Sequence, residues 1–136
     1  MRTYNLFISH SWADSDMYNK LIHLLNSKRD FSYRDYSVPK DDPLDSDGTD
    51  ENLYNAIKTQ IARSSVVLIL MGIEATDSKW INQEIRIAKN EFRIPKPVIA
   101  IESSKNNSDL AIVKQGADRI VDWNPERIVS AIREVV

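Results

Sequence analysis

The sequence predicts an α/β fold built on an open parallel sheet. Two observations carry that expectation. Strand-like and helix-like segments alternate along all 136 residues, and one of them, Val66 to Met71 (VVLILM), is apolar without interruption. A strand with no polar face suits the centre of a parallel sheet covered by helices on both sides. Right-handed crossovers then join successive strands.

Each element has its own signal. Tyr4 to Ile8 (YNLFI) is the first strand, closed by the polar cluster Ser9-His10-Ser11. From about Asp14 to Ser27, Met17, Leu21, Leu24 and Leu25 recur at helical spacing, with Asp14 and Asp16 in the first turn, where carboxylates favour the helix dipole. Phe31 to Asp35 reads as the second strand. Ser37 to Asp50 holds Pro39, Pro43 and Gly48 and reads as a loop. Glu51 to Ser64 is helical, with Leu53, Ala56, Ile57 and Ile61 assigned to one face. After the apolar strand, Ser78 caps a helix that carries Trp80, Ile81, Ile85, Ile87 and Ala88 toward Phe92, and Pro95 and Pro97 end it. Val98 to Ile101 and Arg119 to Val121 complete the five strands. Pro125, at a favoured first-turn position, opens a last amphipathic helix through Ile128, Val129 and Ile132. Ser103 to Gly116 is polar and under-patterned, and reads as a poor helix or a loop. No repeat or linker interrupts residues 1–136. The expectation is one flavodoxin-like domain, a three-layer sandwich with strand order 2-1-3-4-5.

Composition removes whole classes of chemistry. A chain of this length buries roughly two-thirds of its unfolded surface, so it needs no covalent staple. With no cysteine there is no disulfide, thiol nucleophile, zinc–thiolate site or iron–sulfur cluster. His10 and His23 are too far apart for HExxH spacing, and no resident metal or cofactor is expected. Gly48, Gly72 and Gly116 stand singly, so neither a dinucleotide fingerprint nor a P-loop can be written. Eighteen basic against twenty acidic residues leave a net charge of −2 and no excess for a phosphate backbone, so no nucleic-acid partner is expected. The apolar run Val66 to Ile73 is far too short to cross a bilayer. Met1-Arg2-Thr3-Tyr4 leads straight into strand pattern, leaving no signal peptide, so no membrane partner and a cytoplasmic location are expected.

Open parallel sheets bind ligands at the carboxyl ends of their strands, near the point where strand order reverses. Here that means Ser9-His10-Ser11-Trp12, the Tyr36 to Asp50 loop, and Gly72 to Glu84. A phosphoacceptor domain needs an aspartate ending its third strand, where this chain has Met71-Gly72. A flavin-binding phosphate loop finds only weak support in Ser9 and Ser11. Glu84 and Trp80 remain, four residues apart on one helix face. A carboxylate there can stabilise an oxocarbenium-like ribosyl centre, and an aromatic face can stack on a ring. Nicotinamide leaves NAD+ as a neutral molecule, so no general acid is needed and one glutamate can be enough. The alternative reading gives Glu84 to the helix dipole and Trp80 to packing.

At these residues the chain resembles the Toll/interleukin-1 receptor (TIR) domain family. Phe7-Ile8-Ser9-His10-Ser11-Trp12 resembles the family's first box. Leu53 to Ile57, Ile61, Ser64 and the VVLIL strand resemble its central run. Ser78-Lys79-Trp80-Ile81-Asn82-Gln83-Glu84 resembles its S-x-W-x-x-x-E motif, whose glutamate is catalytic in NAD-cleaving members. Ile81 stands where members often carry cysteine. The stretch from Tyr33 to Leu44 is similar to TIR-like proteins of the Thoeris anti-phage type. The resemblance implies a TIR fold, NAD+ as substrate, and cleavage of its nicotinamide–ribose bond to a cyclic ADP-ribose-type signal. It implies Glu84 as catalyst, self-association on activation, a phage-derived trigger, and a separate effector reached through the diffusible product.

Ser9, His10, Ser11, Trp12, Asp35, Tyr36 and Trp80 are the candidate substrate contacts, all assigned to the same cleft. His10 suits a phosphate or ribose, or simply a solvent edge; Tyr36 suits a base, or an anchor for the loop. His23 falls on the polar side of its helix and is read as inert. The acidic run Asp41, Asp42, Asp45, Asp47, Asp50 does not make a calcium loop: aligned on Gly48, the first and twelfth ligand positions hold Pro43 and Tyr54. Two other readings stay open at this stage. One is a non-enzymatic TIR module working by assembly; the other is a nucleoside deoxyribosyltransferase-like enzyme.

Overall fold

The computed structural model describes residues 2–9, 15–37, 51–71, 78–102 and 116–136. Five parallel strands, β1 (Thr3–Ser9), β2 (Ser32–Asp35), β3 (Val66–Met71), β4 (Val98–Glu102) and β5 (Arg119–Asp122), run in the order β2-β1-β3-β4-β5. The helices are α1 (Ser15–Asn26), α2 (Glu51–Arg63), α3 (Ser78–Asn90) and α4 (Pro125–Val135). This is the α/β architecture and strand order expected from the sequence.

The pleat divides the core into two halves. Val66, Leu68 and Leu70 of β3 join Leu6, Ile8, Leu21, Leu25, Ile128 and Ile132 on the face covered by α1 and α4. Val67 and Ile69 join Phe7, Ile57, Ile61, Ile85, Ile87 and Ala88 on the face covered by α2 and α3. Val66 to Ile69 are fully buried, which explains why the β3 sequence has no polar position. Each such aliphatic side chain contributes about 2 kcal/mol on burial.

The last helix follows its sequence signal closely. Asn124 is its N-cap, and its side chain accepts the Arg127 N–H at 3.2 Å. Pro125 occupies the first turn, where its missing N–H costs nothing.

Several element ends shift by a residue or so from the sequence reading, Ser78 falls inside α3 rather than capping it, and three further details have a physical reason. β1 continues through Ser9 because β3 is long enough to pair it with Ile69. α3 stops at Asn90, and the chain turns back so that the Lys96 N–H reaches Ala88 O at 2.8 Å. Ala56 is exposed: Ile57 and Ile61 hold the inner face of α2, with Leu53 packed beside them.

Two features bear on the site. A Cβ on Gly116 would lie 2.6 Å from Ile85 Cγ2, so the chain entering β5 passes α3 where only hydrogen fits. Among the described residues, no helix is long and apolar enough to cross a membrane. The segment 38–50, with its prolines and acidic run, and residues 103–115 lie outside the described residues.

Candidate functional site

Side chains alternate across a strand, so the direction of Ser9 follows from its neighbours. Leu6 and Ile8 face α1 and α4, whereas Phe7 faces α2 and α3. Ser9 shares the side of Phe7 and stands at the carboxyl end of β1, beside Ile69 of β3. This is the sheet edge where the order turns from β1 outward to β2 on one side and to β3 on the other.

Glu84 arrives from α3. The inner stripe of that helix holds Glu84, Ile85, Ile87 and Ala88, all buried, while Arg86 is exposed. Glu84 has 0% of its surface exposed and Ser9 3%. The Ser9 hydroxyl donates to Glu84 Oε1 at 2.6 Å. A sequence separation of 75 residues is thereby closed by one buried hydrogen bond.

The position of Glu84 removes one simple account of it. It lies well beyond the first turn of α3, which carries no acidic residue. Dipole stabilisation falls off within that first turn. Packing alone does not call for a carboxylate either, since taking an acidic group out of water costs several kcal/mol before compensation. Glu84 is thus a buried carboxylate with a positioned donor at the carboxyl end of β1.

Asp35 and Tyr36 stand at the end of the neighbouring strand, β2. The register sets Asp35 opposite Leu6, three residues before Ser9 along β1. That difference corresponds to about 10 Å along the strand. Asp35 accepts the Tyr18 hydroxyl of α1, the Ser37 hydroxyl, and the Ser37 N–H at 2.8 Å. Burial raises the Tyr18 hydroxyl above the ordinary tyrosine range, and the hydrogen bond to Asp35 raises it further. Burial and then the Asp35 charge raise Tyr33 as well. Tyr36 is half-buried, and its N–H donates to Leu6 O at 2.8 Å.

Of the sequence-derived candidates, the structure brings Ser9 and Glu84 into direct contact; Asp35 stands level with Leu6 and is bonded to Tyr18 of α1, so it does not join them, and Tyr36 follows it at the end of β2. His10, Ser11 and Trp12 lie outside the described residues. The backbone of Trp80 lies within α3, and its side chain lies outside the description. His23 is exposed on α1. Sequence reasoning missed Tyr18 and Ser37. Ser37 had a local signal: Asp-Tyr-Ser is the spacing at which an aspartate accepts the N–H two residues on.

A cleft of about 390 Å³ opens elsewhere, lined by Lys89, Pro95, Pro97, Asp118, Arg119 and Glu134, among others. It lies at the amino ends of β4 and β5, opposite the edge that carries Ser9 and Met71. Its charges are largely spent on one another, Lys89 on Asp118 and Arg119 on Glu134. Among the described residues, no cluster of three or more His, Asp or Glu is arranged to hold a metal ion.

The family model for the TIR-like domain of the Thoeris protein ThsB matches residues 7–108, a span that includes both Ser9 and Glu84. Comparison with curated proteins gives no match.

Proposed function

Since the chain belongs to the family of Thoeris ThsB TIR-like domains, we propose that it cleaves the nicotinamide–ribose bond of NAD+ with Glu84 as the catalytic carboxylate. The observation that carries this reading is the buried Glu84, held by Ser9 at the carboxyl edge of β1 and β3. The C–N bond breaks, and its electron pair leaves with nicotinamide, which becomes neutral. The ribosyl carbon develops oxocarbenium character, and the Glu84 carboxylate stabilises that charge. Water attack with loss of a proton completes hydrolysis. Attack by a ring nitrogen of the same molecule's adenine completes cyclisation to a cyclic ADP-ribose-type product.

The cyclic product serves as a diffusible signal to a separate effector protein in anti-phage defence. The enzyme acts in the cytoplasm, takes NAD+ as substrate without a resident cofactor, and self-associates when a phage-derived trigger activates it. The test is nicotinamide release from NAD+ by concentrated or trigger-co-expressed protein, with oligomers monitored by light scattering. Glu84→Gln keeps the side-chain volume and removes the negative charge. Its expected effect is a loss of about a hundredfold or more in rate with a nearly unchanged thermal midpoint. Equal turnover by assembled Glu84→Gln protein overturns the role of the carboxylate.

A further inference from the structure

We infer that Ser9 is a positioning residue for the Glu84 carboxylate rather than a ligand of the substrate. The inference rests on the catalytic reading of Glu84. A serine hydroxyl carries a single proton, and that of Ser9 is donated to Glu84 Oε1 at 2.6 Å. What the oxygen then offers is lone pairs, which neither a phosphate nor a hydroxyl acting as acceptor can use. Recognition of a dinucleotide's anionic groups needs donors, so this hydroxyl is already committed elsewhere.

The geometry suits a holding role. Ser9 belongs to a strand paired on its other side through Ile69 of the central β3, and the preceding residue, Ile8, is pinned through its N–H to Ser37 Oγ at 3.2 Å. Glu84 has a longer and more flexible side chain, on the buried stripe of α3 that also holds Ile85 and Ala88. A hydroxyl delivered from a rigid strand selects one orientation of that carboxylate, and a misaligned carboxylate stabilises a developing cation poorly.

The test uses a matched pair. Ser9→Thr and Ser9→Val are nearly isosteric, both suit a strand, and they differ only by the hydroxyl. Nicotinamide release by the assembled protein should fall about tenfold or more in kcat for Ser9→Val, with KM within about twofold. Ser9→Thr should restore kcat to within about threefold of the unchanged protein. Equal kcat in the two variants overturns the inference. So does a Ser9→Val defect confined to KM, which marks a substrate ligand.

A second measurement does not depend on turnover. Urea unfolding of Ser9→Val is compared in two backgrounds, one with Glu84 unchanged and one carrying Glu84→Met. A midpoint lowered by Ser9→Val when Glu84 is present, and unchanged or raised by it in the Glu84→Met background, supports the pairing. Equal effects in both backgrounds overturn it. Coupling in unfolding, with no nicotinamide release by the assembled unchanged protein, overturns the catalytic reading and leaves Ser9 a packing partner. Coupling with release, but equal kcat for Val and Thr, overturns the positioning role alone.

Discussion

Ser37 reaches across the end of β2 to Ile8: its hydroxyl oxygen accepts the Ile8 N–H at 3.2 Å while the same hydroxyl donates to Asp35. Asp35 also takes the Tyr18 hydroxyl. One carboxylate thus ties α1, the end of β2 and the last residues of β1 together, one residue before Ser9. On this geometry Asp35 anchors the chain just before Ser9 through Ser37.

Asp35→Ala removes the acceptor shared by Tyr18 and Ser37. Because Asp35 is exposed, water replaces part of what is lost, and the expected destabilisation is about 1 kcal/mol. Urea unfolding measures it. Ser37→Ala should act in the same direction, and the double variant should lose less than the two single losses combined, because they remove one network.

The raised Tyr18 hydroxyl has a consequence in alkali. The folded protein holds the proton more tightly than the unfolded chain, so this contribution to stability is complete below about pH 10, the ordinary tyrosine value. It is lost as pH rises further, because the unfolded chain ionises first. Tyr18→Phe should therefore show a shallower fall in thermal midpoint between about pH 9 and about pH 11 than the unchanged protein. Identical slopes would count against a raised Tyr18 hydroxyl, whose larger cause is burial.

Asp118 behaves in the opposite sense. Burial alone would raise its carboxyl, but the Lys89 ammonium, the Val98 N–H at 2.8 Å and the Arg119 charge bring it below the ordinary aspartate value. Its contribution is complete above about pH 4 and disappears as pH falls through the lowered value. Asp118→Asn should cost about 1 kcal/mol near neutral pH, partial exposure keeping the figure small. The difference from the unchanged protein should shrink on acidification, as thermal midpoints at several pH values would record.

Gly116→Ala tests the close approach to α3. The added methyl meets the branched Cγ2 of Ile85, which has no free rotation with which to withdraw. A loss of about 1–3 kcal/mol is expected, larger than the fraction of a kcal/mol that alanine gains by restricting the unfolded chain. Ile85→Val in the same background keeps that methyl and should not restore stability, whereas Ile85→Ala removes it and should recover part of the loss relative to Ile85→Ala alone.

The architecture was legible because its signals are local. The unbroken VVLILM run, the amphipathic spacing of Leu21 with Leu25 and of Ile57 with Ile61, and the Asn124-Pro125 start each act within a few residues. Glu84 is singled out by its four-residue spacing from Trp80 and by the S-x-W-x-x-x-E resemblance; its burial and its bond to Ser9 of β1 emerge only from the fold. Ala56 was misplaced because a small side chain next to Ile57 carries no signal for either face. The end of β1 was set one residue short, since whether Ser9 stays in the strand depends on Ile69 of β3. The role of Asp35 was not legible at all: it depends on Tyr18 and Ile8, brought to it by the packing of α1 and β1.

The pleat of β1 also makes the site a matter of odd and even. Ser9 faces α3 because it stands two positions after Phe7, with Ile8 between them, and the interior fixes which way Phe7 points. An insertion of one residue between them would turn a serine at the strand end toward α1 and sever it from Glu84, although composition and hydrophobicity would scarcely change. An insertion of two would restore the direction and misplace the height. Length variation in this protein should therefore be confined to stretches outside β1, and a relative that kept both residues but changed their count from Phe7 would have lost the pairing while still looking intact on paper.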